Sequence, residues 1–375
     1  MKRFIFYLIA LQLAVTTSRA MAQGGKSPDI IVKKAAAAFM ASPAACGLSV
    51  GIYHDGQRHT YHFGEKHKGR HDRPDNYTAY AIGSITKTFT GTLLAKAVLE
   101  HKIKMDDDIR KYLDGSYPNL EFQGHFITVA QLLNHRSGLP YMIPDDSVYR
   151  LGSNEKQTLF QNRLYRHYTK ADFFRDLHQV KLDTIPGTKF KYSNTAAQLC
   201  GYILERLYGL GYDQLLKKQL TASLGMKATK LHLSVKERLR LPAGYDEKGV
   251  EMPETPEQLG GAGALKSNLS DMLSYAAWQL DESHPAAKLS HEPTWQSGNY
   301  WAGLNWQVIE TADKRRLIWQ SGDVAGFTSY CVLYPELHMG IVVLTNEEDH
   351  TAPGRIEKLI NQLSASLKPG ASALP

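Results

Sequence analysis

The sequence predicts an α/β fold of the α+β kind: one antiparallel sheet built from both chain ends, flanked by terminal helices, with a mostly helical domain inserted between them. Three observations point there. Strand-like runs occur near both ends and not in the middle, helical periodicity fills the centre, and the chain closes on an amphipathic helix. With 375 residues, 43% hydrophobic and 22% charged, the chain can bury a substantial core and has ordinary globular composition.

Taken in order, Lys2 and Arg3 precede an apolar run from Phe4 to Val15, and Ala20-Met21-Ala22 stands before Gln23. Charged, apolar and small-residue segments in that sequence predict a signal peptide over residues 1–22, and hence a periplasmic or secreted protein with no lasting membrane insertion. Its removal takes away Lys2, Arg3 and Arg19 and no acid, so the formal charge falls from +7 to +4. The remaining basic residues form no sustained stripe, which excludes nucleic acid as an expected partner. Cys46, Cys200 and Cys331 are too far apart for metal-ligand spacing and odd in number, and their apolar neighbours predict buried free thiols.

Ile30 to Met40 reads as a helix ending near Pro43. Gly47 to Tyr53 and Thr60 to Phe63 read as a hairpin about Asp55-Gly56. From Ser84 the period becomes helical, with Ile85, Phe89, Leu93, Leu94 and Val98 on one face. Thr128 to Leu133 is a further helix, and another follows Asn194, carrying Leu199, Ile203, Leu204 and Leu207 and stopping at Gly209. Leu317 to Trp319, Phe327 to Tyr334 and Ile341 to Thr345 are strand-like, with a turn at Pro335-Glu336. A closing helix after Pro353 presents Ile356, Leu359, Ile360, Leu363 and Leu367. The expected division is a sheet domain from 23–83 and 290–375, and a helical domain over 84–289.

Three serines compete as nucleophile. Ser84-Ile85-Thr86-Lys87 is an S-x-x-K element, and on a helix that spacing brings the lysine amine to the serine hydroxyl near a positive helix end. Lys87 serves as a base only if desolvation or a neighbouring cation keeps it partly neutral. Ser153-Asn154-Glu155-Lys156 repeats the pattern in a polar stretch, which reads as a solvated loop. Gly47-Leu48-Ser49-Val50-Gly51 is a literal G-x-S-x-G, but it runs into a strand and hairpin rather than the sharp elbow such a nucleophile needs.

Tyr192-Ser193-Asn194 precedes a helix. A tyrosine oxygen beside a lysine can be held as phenolate or relay a proton, and Asn194 can donate to a substrate carbonyl. Tyr117-Pro118-Asn119 has the same letters but reads as a turn. Gln320-Ser321-Gly322-Asp323 lies on a strand, where glycine allows close approach of a substrate backbone and a strand N–H can complete an oxyanion hole. Trp295-Gln296-Ser297-Gly298 resembles it without a strand pair following, and reads as coincidence. His54, His59, His62, His67 and His71 lack the helical spacing of a zinc site and read as surface residues.

The order Ser84-x-x-Lys87, Tyr192-x-Asn194, Gln320-Ser321-Gly322 resembles the serine β-lactamase and penicillin-binding-protein superfamily, in particular its class C branch with D,D-peptidase and esterase relatives. Ala81-Ile82-Gly83-Ser84, the run from Leu132 to Pro140, Leu224-Gly225-Met226 and Val343-Leu344-Thr345-Asn346 extend the likeness across residues 30 to 365. The resemblance implies a β-lactamase/transpeptidase-like fold with no metal or organic cofactor. It also implies an acyl-enzyme on Ser84, with Lys87 and Tyr192 handling the proton, Asn194 orienting the substrate, and the N–H groups of Ser84 and Asp323 holding the oxyanion. The expected substrate is a β-lactam or a D-Ala-D-Ala type peptide and the expected state a monomer. A carboxylesterase and a non-catalytic peptidoglycan-binding protein are the alternatives. Gln320 departs from the Lys or His usual in the family, which implies slow β-lactam hydrolysis and tolerance of neutral esters. Arg315 or Arg316 would be the substitute cation if a substrate carboxylate is held from elsewhere.

Overall fold

The computed structural model describes residues 28–144, 154–254, 256–367 and 373–374. The signal peptide expected over residues 1–22 and the candidate Ser153 lie outside the described residues.

Hairpin β1 (Gly47–His54) and β2 (Gln57–Gly64) turns at Asp55 and Gly56, both with positive φ, as the Asp-Gly pair predicts. Five further strands of the main sheet come from the C-terminal part: β4 (Tyr300–Ala302), β5 (Gln307–Glu310), β6 (Arg316–Val324), β7 (Phe327–Tyr334) and β8 (Met339–Thr345). They are preceded by a short β3 (Trp295–Ser297), giving an eight-stranded antiparallel sheet ordered β2-β1-β8-β7-β6-β5-β4-β3. Residues from the two ends of the chain meet where β1 pairs with β8, Val50 opposite Val343.

Side-chain alternation sends successive residues to two cores. Leu48, Val50, Ile52, Tyr330, Val332, Ile341 and Val343 face α1 (Pro28–Met40) and the closing helix α5 (Ala352–Leu367), which bring Val32, Phe39, Ile356, Ile360 and Leu363. The opposite face, with Cys331, Leu333, Val342 and Leu344, is covered by α4 (Leu269–Leu280), a helix within the 84–289 stretch. A Cβ at Gly51 would lie 2.9 Å from a Leu269 methyl and 3.0 Å from those of Leu273, so the missing side chain lets α4 lie close.

Helix α2 (Thr86–Leu99) runs through the middle of the molecule and is buried on every side over its first turns. Its threonines are therefore satisfied internally: Thr88 Oγ1 donates to Ile85 O at 2.8 Å and Thr90 Oγ1 to Gly261 O at 2.7 Å. Gly91 lets the Leu304 carbonyl pass where a Cβ would stand 2.2 Å from it. The apolar stripe from Ile85 to Leu94 is thus only part of a surface that is buried all round. Helix α3 (Asn194–Tyr208) starts on Ser193, whose Oγ accepts the Ala196 N–H at 2.9 Å, and ends on Gly209 at φ +64°.

Two local expectations are corrected. Trp295-Gln296-Ser297 is a strand and a pair does follow it: Gly298, at φ +60°, turns the chain so that Trp295 pairs with Ala302 at the outer edge of the sheet. Three-residue strands carry too little alternation to be seen in sequence. The second S-x-x-K runs into a helix, Asn154–Tyr165, with Lys156 exposed, rather than a loop. Its residues are good helix formers without an apolar stripe.

Candidate active site

Ser84 stands in a single 3₁₀ turn, Gly83–Ile85, that feeds directly into α2. Gly83 has φ +48°, and a Cβ there would lie 2.9 Å from Asp323 N. Across from it on β6, a Cβ at Gly322 would lie 2.2 Å from Ile82 O and 2.7 Å from Ser84 N. Two glycines facing each other therefore bring the strand onto the turn, with the Ser84 and Asp323 backbone nitrogens at the contact. β5 stops pairing with β6 at Gln307–Trp319, which leaves the β6 edge from Gln320 onward free of a strand on that side.

Lys87 lies one helical turn on and is wholly buried. Its Nζ is 2.9 Å from Ser84 Oγ, 2.7 Å from Asn194 Oδ1 and 2.6 Å from Ala262 O. No carboxylate is among those contacts, so desolvation dominates and drives the amine down from 10.5 to about 7. The neutral amine matches this shell. Its two N–H groups satisfy the two carbonyl oxygens, and its lone pair is left to accept the Ser84 hydroxyl.

The Tyr192 hydroxyl is 2.7 Å from Ser84 Oγ on the other side. Burial pushes this phenol well above its ordinary value, so it is a neutral donor at physiological pH, and of the two readings open in the sequence the relay fits rather than the phenolate. Asn194 opens α3 with its N–H on Tyr141 O at 2.8 Å, and its Oδ1 is used on Lys87. Its amide N–H groups remain to donate to a carbonyl in the cleft.

The third element divides. Gly322 and Asp323 meet Ser84 as described, and Ser321 is half-buried beside them. Gln320 turns inward, 5% exposed, and its Nε2 donates to Asn305 O at 3.0 Å. Neither arginine serves as its substitute. Arg315 pairs with Asp313, and Arg316, at the far start of β6, is held by Glu282 and Glu336.

The competing motifs lie elsewhere. Ser49 does have a nucleophile's hydrogen bonds, with Oγ 2.8 Å from His62 Nδ1 and His62 Nε2 2.8 Å from Asn76 Oδ1. It is fully buried in a flat strand, however, and also bonded to Tyr80 at 2.9 Å, so no substrate reaches it. Asn119 of the Tyr117 triplet donates to Leu177 O and Val180 O, which ties its turn to the chain around residues 177–180. The histidine group is less exposed than expected: His54, His59, His62 and His67 are half-buried and only His71 is exposed. His62 is held between Ser49 and Asn76, and His67 is bonded to Asp72 at 2.5 Å. The three cysteines are buried and free.

Sequence reasoning missed the Ala262 carbonyl and Asn305, whose Nδ2 donates to Lys87 O at 3.1 Å. A backbone carbonyl has no residue signature. The only hint was the glycine-rich run from Gly260 to Gly263, which lets that segment approach α2.

A sequence model of the Beta-lactamase family matches residues 32–365. The chain belongs to the β-lactamase family. Among its relatives in the family are a Beta-lactamase of Providencia stuartii, 26% identical with 90% of this chain and 91% of that protein covered, and the D-alanyl-D-alanine-carboxypeptidase/endopeptidase AmpH of Escherichia coli, 25% identical with 98% and 97% covered. The crystal structure of a Beta-lactamase/D-alanine carboxypeptidase from Yersinia pestis has the same fold, with a TM-score of 0.76 at 26% identity over 91% of this chain and 98% of that one. The family assignment makes the protein a hydrolase of the serine β-lactamase kind, with the antiparallel sheet and helical region described above.

Proposed function

We propose that this protein is an exported serine hydrolase that acylates Ser84 and acts on a β-lactam or a D-Ala-D-Ala type peptide. The observation that carries the proposal is Ser84 Oγ bracketed by Lys87 Nζ at 2.9 Å and Tyr192 OH at 2.7 Å, with the lysine driven toward neutrality.

The geometry supports the following steps. Lys87 takes the Ser84 proton as Oγ bonds to the substrate carbonyl carbon, and the carbonyl electron pair moves onto oxygen, where the Ser84 and Asp323 N–H groups hold it. The C–N bond then breaks. As the oxyanion pair re-forms the carbonyl, Tyr192 protonates the departing nitrogen and the Lys87 ammonium returns a proton to the tyrosine, both groups standing at Ser84 Oγ. Water, deprotonated by the same pair, attacks the ester carbonyl and restores Ser84. Asn194 orients the substrate.

A carboxylesterase working by the same steps is the second reading, favoured by Gln320: it is neutral, and its amide is already committed to Asn305 O. Export rests on the 1–22 signal pattern, and no helix among the described residues is long and apolar enough to cross a membrane. Mass spectrometry after labelling with a fluorescent penicillin or an alkyl phosphonate should place the adduct on Ser84, and Ser84→Ala should abolish it. An adduct on Ser49 would refute the assignment. Edman sequencing of exported material should start near Gln23, and a retained Met1 would refute processing.

A further inference from the structure

His135 is not used in the steps above, yet three separate contacts tie it to Tyr192. It follows the short helix Val129–Leu133, and its backbone is at φ +59°, a conformation few non-glycine residues adopt. Its carbonyl accepts the Lys191 N–H at 2.7 Å, and its Nδ1 accepts the Ser193 N–H at 3.3 Å. Between those two anchored neighbours stands Tyr192, whose ring centre is 4.2 Å from the imidazole at an interplanar angle of 36°. One residue thus fixes the main chain on both sides of the tyrosine and supports its ring.

We infer that His135 is a positioning residue that holds Tyr192 OH on Ser84 Oγ, an inference that rests on the proposed acyl-enzyme chemistry. Because Nδ1 accepts, the ring carries its proton on Nε2, an atom with no hydrogen-bond partner among the described residues, in a residue only 7% exposed. A buried polar atom without a partner costs stability, and an apolar ring would avoid that cost while packing equally well. What phenylalanine lacks is the acceptor for Ser193. Burial, with Lys87 nearby, takes the imidazole down to about 3, so it stays neutral throughout the range in which Lys87 titrates. Its contribution is therefore geometric, and a displacement of about 1 Å in such an arrangement costs roughly a hundredfold in rate.

The test is a double-mutant cycle with Tyr192→Phe, on full-length processed enzyme, with active sites counted by Ser84 labelling and folding checked by thermal melting. His135→Phe keeps the ring and removes the acceptor. His135→Asn keeps an acceptor where Nδ1 stands and tolerates the positive φ. His135→Phe should lower kcat roughly 30- to 100-fold with KM within about threefold, and His135→Asn should recover part of that loss. In the Tyr192→Phe background His135→Phe should change kcat by less than about threefold, because the group it positions is gone. Equal losses in both backgrounds, or a loss carried by KM, would overturn the inference. Should His135→Phe fail to fold, His135→Gln takes its place in the cycle under the same criteria. Failure of the acyl-enzyme reading is seen separately, as activity that survives Ser84→Ala.

Discussion

Replacing Lys87 by methionine should destroy activity and yet stabilise the protein at acid and neutral pH, by an amount that shrinks as pH rises. A lysine displaced from 10.5 to about 7 carries roughly 5 kcal/mol against its protonated folded form, at about 1.4 kcal/mol per unit. Methionine removes that penalty. It also deprives Ser84 Oγ, Asn194 Oδ1 and Ala262 O of their partner, at about 1 kcal/mol each. The balance below pH 7 is about 2 kcal/mol in favour of Lys87→Met. Folded Lys87 releases its proton near pH 7 whereas an unfolded lysine keeps it to about 10.5, so wild-type unfolding takes up a proton across that interval. Wild-type stability therefore gains up to about 1.4 kcal/mol per pH unit there from this group, and the variant lacks that gain. The two should be equally stable between about pH 8 and 9, with wild type ahead above that. Urea unfolding of both proteins at pH 6, 8 and 9.5 measures the difference. A difference that does not vary with pH would refute the claim that burial depresses this lysine, as would a variant that is less stable at pH 6.

Three further outcomes follow from the site. Gly322→Ala should cost at least a hundredfold in kcat and lower the melting temperature, since its Cβ falls 2.2 Å from Ile82 O and 2.7 Å from the Ser84 N–H; steady-state kinetics beside a thermal melt checks both. Lys87→Ala and Tyr192→Phe should each reduce turnover severely, with the double variant little worse than the poorer single one, because both act on the Ser84 proton. Gln320→Lys should raise kcat/KM for carboxylate-bearing cephalosporins about five- to thirtyfold relative to a neutral p-nitrophenyl ester, the worth of one charge-assisted hydrogen bond. An unchanged ratio would show that residue 320 does not face the substrate carboxylate.

The hairpin at 47–64, helix α3 and helix α5 were legible because each has a clean period and a turn or cap at its end. Ser84, Lys87, Tyr192 and Asn194 were legible as letters in order, and the structure adds that Lys87 and Tyr192 converge on the Ser84 oxygen while Asn194 bonds the lysine. The rest depends on long-range packing. α2 looks like a one-sided amphipathic helix, and only the assembled molecule buries its threonines. Nothing local tells which way the Gln320 amide turns, because Asn305 O is supplied by a segment fifteen residues away. The edge strand at 295–297 and the polar helix at 154–165 were missed for opposite reasons, one being too short to show alternation and the other having no apolar face.

The pairing of β1 with β8 has a consequence for synthesis. A nascent chain that has been made as far as His338 holds every side chain of the Ser84 cluster and the strand bearing Gly322. The slot beside β1 is still empty, because Met339–Thr345 has not emerged. The sheet that presses Gly322 onto the Ser84 turn can close only when that last strand arrives between β1 and β7. Contacts of such high sequence separation form slowly. The Ser84 cluster should therefore stay unassembled until Met339–Thr345 has been released.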